Sequence, residues 1–404
     1  MGKKNLKFGY TTGACAAAAA KGAALMIREQ RIVDEVEIVL PRGECARFRL
    51  HGQAFTRDSS SCFVVKDAGD DPDVTNGAEI HVTVMLPPPA PPFHKGENDV
   101  QVIIEGGVGI GRVTKPGLAI PVGEWAINPI PRKMITAAIL EAYANCRVPG
   151  SNLAPPSVLH VEISIPNGAE LAEKTLNARL GVIGGLSILG TSGIVKPVSA
   201  AAWTDTIDTA IDVALACGCE TVVLSTGRTS EIAAQRFFAK EQNPGQDKAG
   251  RDNYEASSLA ARALRHEPAE GLPLPEEAYI MMGDHVGHAL RACCRKGVKH
   301  VILVAQFAKL LKIACGHEQT HVSSSGLDLP TLAEWLKASP RTSRFVQSAV
   351  RANSARELLE ASGNDHRLVK LVCSKASDFA AGLVHGPKVK VFLAGYGGEV
   401  LYFG

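Results

Sequence analysis

The sequence predicts an α+β domain in residues 1–166, followed by a Rossmann-like α/β domain with a mainly parallel sheet in residues 167–404. Before residue 166, short runs alternate apolar and polar residues, which is typical of strands in hairpins and meanders. After it, continuous apolar runs each end in small residues and precede a helical pattern. That order indicates a parallel sheet covered by helices on both faces.

The composition argues against several function classes. The 404 residues are 46% hydrophobic and 21% charged, with a net charge of +2, so the basic surface of a nucleic-acid binder is not expected. No apolar run reaches the length of a membrane span, and the first residues lack the apolar core of a signal peptide. The ten cysteines lack zinc-site spacing and are expected to be reduced thiols. We therefore expect a cytoplasmic protein with no nucleic-acid partner, no membrane partner and no metal site; a homo-oligomer stays open.

The first domain is expected to begin with a helix. Thr11 or Thr12 is a natural N-cap, and the run at 14–21 is nearly all alanine, the residue of highest helix propensity. The free amides at the start of such a helix attract anions; an ordinary capped core helix is the alternative. Later elements are strands at 35–40, 47–50, 80–85, 100–104 and 160–165, a helix at 133–144, polar turns at 66–77 and a stiff loop at 86–92.

The second domain is expected to alternate helices and strands. Helices are predicted at 167–178 and 201–217, strands at 221–224, 279–282, 300–304 and 388–393, and exposed loops at 241–257 and 266–277. In such sheets the ligand crevice lies at the carboxyl ends of the strands. We therefore expect the turns at 184–193, 225–231, 283–288 and 306–317 to lie along one edge.

A segment rich in glycine and proline, residues 105–132, is the most unusual stretch. Its six glycines and four prolines suit neither a helix nor a central strand, and such a backbone is typical of close approach to a ligand. A long structural loop is the alternative. Its polar side chains are Arg112, Thr114, Lys115, Glu124, Asn128 and Arg132.

Known nucleotide and nucleophile motifs are absent from the sequence. The glycine-rich turn at 184–193 could hold a nucleotide by its backbone amides, but it is not a G-x-G-x-x-G fingerprint. The strand at 221–224 is followed by Ser-Thr-Gly-Arg and not by an acidic residue. Both features argue against a nicotinamide site and hence against an oxidoreductase. The sequence also lacks a G-x-x-x-x-G-K-[ST] phosphate loop and a G-x-S-x-G nucleophile elbow.

His317 and His321 are the best acid–base or ligand candidates in the second domain. They lie four residues apart, although the neighbouring glycine and serines favour a loop over a helix. A metal site, a substrate or acid–base contact, and surface histidines all remain open. Asp284, His285 and His288 follow a predicted strand and are weaker candidates of the same kind.

Four long blocks of sequence carry a family resemblance: residues 9–18, 109–118, 126–132 and 177–195. In these blocks the chain resembles the CbiD family, S-adenosylmethionine-dependent methyltransferases of corrin-ring biosynthesis. The second half is similar more loosely, since residues 225–228 and 283–287 depart from the family's usual residues. Thr320 and His321 do fit the family's Thr-His pair.

The resemblance implies methylation of C1 of cobalt-precorrin-5B to give cobalt-precorrin-6A, in the anaerobic route to cobalamin (vitamin B12). The methyl donor would be S-adenosylmethionine, the partner a corrinoid small molecule, and cobalt would belong to the substrate. The ring carbon is the nucleophile and a neutral thioether leaves, so alignment of the reactants should supply most of the catalysis. His321 and Glu124 are the candidate bases. A non-catalytic corrinoid or tetrapyrrole carrier is the alternative function.

The candidate binding residues follow from the same resemblance. Substrate carboxylates need cationic and backbone donors, and the candidates are Thr11, Thr12, Arg112, Lys115, Asn128 and Arg132. The candidate contacts of the methyl donor are Gly184, Gly185, Gly190, Thr191, Gly193, Thr226, Gly227 and Glu231. We expect the donor residues to face residues 105–132 across a cleft between the domains.

Overall fold

A computed structural model describes residues 6–87, 100–144, 158–240, 274–338 and 340–404. The chain divides into two compact units, Met1–Ser199 and Ala200–Gly404, and both combine helices with sheets. The predicted loop at 241–257 lies outside the described residues, as do most of those at 86–92 and 266–277. Within the described ranges, no helix combines the length and the apolar character that crossing a membrane requires.

Helix α1 (Thr12–Glu29) is the central helix of the first unit, as the alanine run predicts. Thr11 is its N-cap, and the Thr11 hydroxyl accepts a hydrogen bond from the Ala14 amide at 3.2 Å. The small side chains of α1 are buried, which lets α2 (Pro129–Ala144) and the neighbouring sheet pack closely against it. The prediction of this capped helix is confirmed, and so is the helix expected at 133–144, which begins a few residues earlier.

The first unit contains a five-stranded sheet beside a separate hairpin of β2 (Glu35–Val39) and β3 (Cys45–Arg49). The strand order is β4-β5-β6-β9-β7, antiparallel except for the parallel pair of β7 and β9. The ranges are β4 (His51–Phe55), β5 (Ser59–Val65), β6 (Glu79–Met85), β7 (Gln101–Gly106) and β9 (Val158–Ser164). Strands β4 and β5 were not predicted; in β5 the serines at 59–61 hide the alternation of buried and open positions.

The segment at 167–195 differs from its prediction. Helix α3 covers only Gly168–Ala172, and two short strands follow, β10 (Val182–Ile183) and β11 (Ile194–Val195). Strand β10 pairs with β8 (Arg112–Val113), and β11 pairs with β1 (Gly9–Tyr10). This segment therefore belongs to the first unit, and the structural division at 199 lies after the change that the sequence predicts at 166.

The second unit is built on a mainly parallel sheet, as predicted. The strand order is β13-β12-β14-β15-β16, with only β16 antiparallel to its neighbour. The ranges are β12 (Thr221–Ser225), β13 (Tyr279–Met281), β14 (His300–Ala305), β15 (Lys388–Ala394) and β16 (Val400–Phe403). The four parallel strands match the predicted ones, β16 was not predicted, and the description as Rossmann-like stays a prediction.

Helices cover both faces of this sheet. Val222 and Leu224 of β12 belong to one buried cluster and Val223 to another on the opposite face, as the alternation of side chains along a strand requires. The helices are α4 (Ala200–Ala216), α5 (Arg228–Lys240), α6 (Val286–Lys296), α7 (Phe307–Ala314), α8 (Leu329–Lys337), α9 (Val346–Arg351), α10 (Ala355–Ala361) and α11 (His366–Gly382). Both faces being apolar, the polar side chains that could meet a ligand gather where the strands end.

Candidate functional site

The start of α1 binds a loop of the protein itself. The Gly13 amide donates to the Leu189 carbonyl at 3.0 Å, and the Thr11 amide donates to the Gly193 carbonyl at 3.0 Å. The Thr12 hydroxyl accepts from the Leu189 amide at 3.0 Å and lies 3.3 Å from its carbonyl. Thr11 and Thr12 are both buried. The amides expected to attract an anion thus hold residues 189–193, and the substrate contacts of both threonines stay predictions.

Residues from all four blocks of the family resemblance meet within the first unit. The Gly111 amide donates to the Leu186 carbonyl, and the Leu186 amide donates to the Gly109 carbonyl. The Asn128 amide likewise donates to the Ile188 carbonyl. Glycine permits this contact, because a Cβ on Gly185 would lie 2.3 Å from the Gly109 carbonyl oxygen. The shared blocks are therefore joined backbone to backbone, without intervening side chains.

The turn at 184–193 does not follow a strand of the parallel sheet, so the prediction that it joins the carboxyl ends of those strands is wrong. Its flanking strands pair with β8 and β1 of the first unit. Gly190, at φ +127°, lies against the Thr11 side chain, and Gly193 lies against Leu40. Gly185 is buried, whereas Gly184 and Thr191 are exposed. A donor contact at these five positions stays a prediction.

The cations of segment 105–132 differ in what they contact. Arg132 is half-buried and donates to the carbonyls of Ile127 and Ile104, both at 3.0 Å. Lys115 is also half-buried, with its ammonium 3.3 Å from the Arg179 carbonyl. Arg112 is exposed; it donates to the Gly123 carbonyl at 2.7 Å, and its guanidinium lies 3.8 Å from the centre of the Trp125 ring. Arg112 is thus the most open of the three predicted substrate cations.

Glu124 and Asn128 both lie in the second half of the same segment. Glu124 is exposed, and its carbonyl accepts from the Val113 amide at 3.0 Å. Asn128 directly precedes α2, where its carbonyl accepts from the Arg132 amide at 3.0 Å. The roles predicted for their side chains, as base and as substrate contact, stay predictions.

In the second unit, β12 ends at Ser225. Ser225 is fully buried, and its hydroxyl has no hydrogen-bond partner among the residues that the structure describes. The Thr226 amide donates to Val304 of the neighbouring strand β14 at 3.1 Å, and a Cβ on Gly227 would meet no atom within 4 Å. Glu231, also buried, is paired with Arg228 at 2.6 Å in the first turn of α5. Three of the residues predicted to contact the methyl donor, Thr226, Gly227 and Glu231, therefore follow the carboxyl end of β12.

Asp284, three residues after the end of β13, is the centre of a charged cluster that the sequence did not predict in full. It accepts a hydrogen bond from the Thr320 hydroxyl at 2.6 Å and pairs with Lys309 of α7. Lys309 and Lys312 donate to the Thr320 carbonyl at 3.1 and 3.0 Å. Their spacing places both lysines on one face of α7, a signal available in the sequence. The cluster fixes Thr320, the residue before His321.

The local charges shift the pKa values of this cluster. Burial raises the pKa of Asp284, but the hydrogen bonds from Lys309 and Thr320 and the Lys309 charge outweigh it and hold the pKa below its usual value. Burial, then the Lys309 charge, lowers the pKa of Lys312. Burial also lowers the pKa of His285, with His288 acting in the same direction. The carboxylate and a neutral His285 are therefore the forms expected near neutral pH.

His321 is exposed, and its ring is held by its own loop. Its Nδ1 lies 3.2 Å from the Ser323 amide, which donates to it, and 2.7 Å from the Ser323 hydroxyl. A neutral ring that accepts at Nδ1 carries its proton on Nε2. The loop thus presents His321 as a donor at Nε2, and its role as a base stays a prediction. In the described ranges, no three His, Cys, Asp or Glu side chains form a group that could hold a metal ion.

Comparison with known proteins decides the family. Residues 1–197 match the family model described as CbiD. A cobalt-precorrin-5B C(1)-methyltransferase from Geobacter metallireducens is 58% identical over 404 residues, which is 100% of both chains. The chain belongs to the CbiD family. A protein of the same name from Geotalea daltonii is 57% identical over 100% of both chains.

Two further proteins show weaker similarity to the chain. A cobalt-precorrin-5B C(1)-methyltransferase from Priestia megaterium is 39% identical over 92% of this chain and 88% of its own. Among solved structures, a cobalamin biosynthesis protein (cbiD) from Archaeoglobus fulgidus has 23% identity and a TM-score of 0.36, covering 76% of this chain and 79% of that one.

Proposed function

We propose that this CbiD protein is an S-adenosylmethionine-dependent C-methyltransferase that methylates C1 of cobalt-precorrin-5B and yields cobalt-precorrin-6A in anaerobic cobalamin biosynthesis. One observation carries the proposal: relatives named cobalt-precorrin-5B C(1)-methyltransferase are 58% and 57% identical to it over the whole of both chains. Identity at that level, without gaps in coverage, favours the same reaction type. The cobalt belongs to the substrate.

The proposed reaction needs little covalent chemistry from the protein, because the methyl group passes directly from the donor to the substrate. A carbon–carbon bond forms at C1 while a sulfur–methyl bond breaks, and the electron pair of the broken bond stays on sulfur. S-adenosylmethionine supplies the electrophilic methyl group. Burial raises the pKa values of the Cys15, Cys62 and Cys293 thiols to about 12, so these thiols stay protonated and do not compete as nucleophiles. Alignment of the reactants supplies the main acceleration.

For the methyl donor we propose the carboxyl end of β12, with Ser225, Thr226, Gly227 and the first turn of α5. After β12, the chain forms β13 on one side of β12 and then β14 on the other side. Open parallel sheets bind ligands at the carboxyl ends of the strands where the strand order reverses in this way. The buried Ser225 hydroxyl has no partner among the described residues, and this supports the placement, because a buried polar group normally has one. The open Gly227 leaves room for an approaching ligand. We treat this unit as Rossmann-like on the same grounds.

For proton removal we retain His321 and Glu124 as candidates. His321 follows Thr320, which Asp284, Lys309 and Lys312 hold in place. If the His321 ring rotated so that Nδ1 no longer contacted Ser323, Nδ1 could accept a proton from the substrate. Glu124 is exposed and directly follows Gly123, whose carbonyl accepts from Arg112. Each residue is tested by its effect on the rate at saturating substrate.

Mass spectrometry of the product after incubation with cobalt-precorrin-5B and methyl-labelled S-adenosylmethionine tests the function. We expect a product that has gained one labelled methyl group at C1 and a stoichiometric amount of S-adenosylhomocysteine. A carrier would bind the corrinoid, transfer no label and show no affinity for S-adenosylhomocysteine. Label on another carbon would contradict the assignment of C1 while preserving the methyltransferase class.

A further inference from the structure

A small sheet in the first unit has two different faces. In the pair of β8 and β10, Val182 lies opposite Val113 and Ile183 lies opposite Arg112; an antiparallel bridge then joins Arg112 to Trp125. Directly opposite residues in antiparallel strands project from the same face. Ile183, Arg112 and Trp125 therefore form a row across one face, which we call the outer face.

The inner face of this sheet is a core. Val113 and Val182 are buried there with Ile120 and Ala126. On the outer face, Ile183 is 50% exposed and Arg112 is exposed, while Trp125 is half-buried. An exposed isoleucine alone is ordinary. Here it adjoins an exposed cation, so the outer face offers apolar contact and positive charge side by side.

The Arg112 guanidinium is held in position before any ligand arrives. It lies 3.8 Å from the centre of the Trp125 ring and donates to the Gly123 carbonyl at 2.7 Å. The Trp125 ring is itself placed against Gly106, where a Cβ would lie 2.6 Å from the ring. The bond to Gly123 uses one of five N–H donors on the guanidinium. A cation fixed in this way loses little side-chain entropy on binding a carboxylate.

We infer that the outer face docks the carboxylate-bearing edge of the corrinoid substrate. Arg112 binds an acetate or propionate carboxylate, and Ile183 contacts the apolar carbon skeleton beside it. Charge complementarity carries the choice of occupant, since the substrate combines an apolar ring with acidic side chains and the outer face combines isoleucine with a fixed guanidinium. This inference rests on the proposed function and adds Trp125 as the residue that positions Arg112.

Equilibrium titration of the full-length protein with two corrinoids tests the outer face. Cobyrinic acid carries free carboxylates, and its fully methyl-esterified form does not. We expect Arg112→Gln to weaken binding of the acid by about tenfold or more, the range of a lost charge-assisted pair, and to leave the weaker binding of the ester unchanged. Arg112→Lys keeps the charge but loses the planar fork, so it should restore binding only in part.

Two further variants separate position from general surface charge. Ile183→Glu places a negative charge on the outer face and should weaken binding of the acid. Val39→Glu makes the same change at a residue that is 57% exposed on the hairpin β2–β3, and binding should equal that of the wild type. Equal urea midpoints for all variants establish that they are folded. Wild-type affinity in Arg112→Gln and Ile183→Glu, equal losses in Val39→Glu, or no binding by the wild type would overturn the inference.

The same variants distinguish this inference from the proposed function. Labelled methyl transfer by the wild type supports the function whether or not the outer face binds the acid. If the wild type transfers no label but Arg112→Gln still weakens binding, the docking surface stands and the methyltransferase proposal fails. If the wild type transfers label and both outer-face variants keep its KM, the function stands and the docking surface fails.

Discussion

Thr12 joins two distant parts of the first unit through one hydroxyl. That hydroxyl accepts from the Leu189 amide and lies within bonding distance of the Leu189 carbonyl, and the residue is buried. Thr12→Val keeps the shape and removes both bonds. We expect the free energy of unfolding to fall by about 1–3 kcal/mol, because the Leu189 amide of this half-buried bond loses its acceptor, whereas the Leu189 carbonyl keeps the hydrogen bond from the Gly13 amide. Urea denaturation measures the change; Thr12→Ser retains the hydroxyl and should lose less. Equal stability in Thr12→Val would contradict the role of these bonds.

Ser225 should behave in the opposite way. Its buried hydroxyl has no partner among the described residues, whereas the equally buried Ser60 donates to the Ala23 carbonyl at 2.6 Å. We expect Ser60→Ala to lower the free energy of unfolding by about 1 kcal/mol and Ser225→Ala to leave it unchanged or raise it. Calorimetric titration with S-adenosylhomocysteine should show a several-fold weaker Kd for Ser225→Ala alone. Unchanged affinity would remove Ser225 from the proposed donor site.

Asp284 should make stability depend on pH in a known direction. Burial raises its pKa, but the bonds from Lys309 and Thr320 outweigh burial and leave it lowered. A lowered carboxyl pKa stabilises the fold above its ordinary value of about 4, and that contribution is lost as the pH falls through the folded-state pKa. The urea midpoint of Asp284→Asn should therefore lie below that of the wild type at pH 5–8. The two midpoints should converge toward pH 3. In a Lys309→Met background the difference should be smaller; a difference that persists at pH 3 would contradict this account.

At the scale of the elements, two glycines separate backbone strain from steric clash. Gly184 has φ +86°, and a Cβ added there would meet no atom within 4 Å, while Gly190 has φ +127° and an added Cβ would lie 2.4 Å from Thr11. Gly184→Ala should cost only the strain of a positive φ, about 1–2 kcal/mol. Gly190→Ala should lower stability by more, because Thr11 and the cap of α1 must also move. The urea midpoints of the two variants measure this difference in stability. Equal losses of stability would mean that the loop at 189–193 shifts freely.

Local signals predicted the elements that local chemistry determines. The alanine run and its threonine cap predicted α1, and continuous apolar runs predicted β12, β13, β14 and β15. The prediction failed where distant backbone segments pair. Two-residue strands such as β10 and β11 leave no periodic pattern, so the sequence placed the turn at 184–193 in the wrong sheet.

The candidate site divides along the same line. Residue type together with the family resemblance indicated Arg112, and the structure shows this residue exposed. The sequence could not indicate Trp125 or Ile183, because their places beside Arg112 depend on the register between strands that lie far apart in the chain. The lysines around Asp284 could have been found from their spacing on α7, whereas the contact with Thr320 required the fold.

At the scale of the whole molecule, the sequence predicted two units and the structure divides the chain at 199. The difference concerns residues 167–199, which contain the strand partners of β8 and β1 and the carbonyl that Gly13 binds. Assigned to the first unit, this segment completes a core around Val113 and Val182. Removed from it, the segment would leave β8 and the start of α1 with unpaired backbone groups, which fold poorly.

Fragments of the chain test that assignment. We expect 1–199 to unfold cooperatively in urea and 1–166 to unfold at lower urea or without a cooperative transition, because it lacks β10, β11 and the partners of Thr12. As the matched pair, 167–404 and 200–404 should unfold with equal midpoints, since the extra residues make their strand pairings with the first unit. Circular dichroism follows all four transitions. If 1–166 is as stable as 1–199, or if 200–404 loses stability relative to 167–404, the segment belongs with the parallel sheet and the boundary predicted from the sequence is the better one.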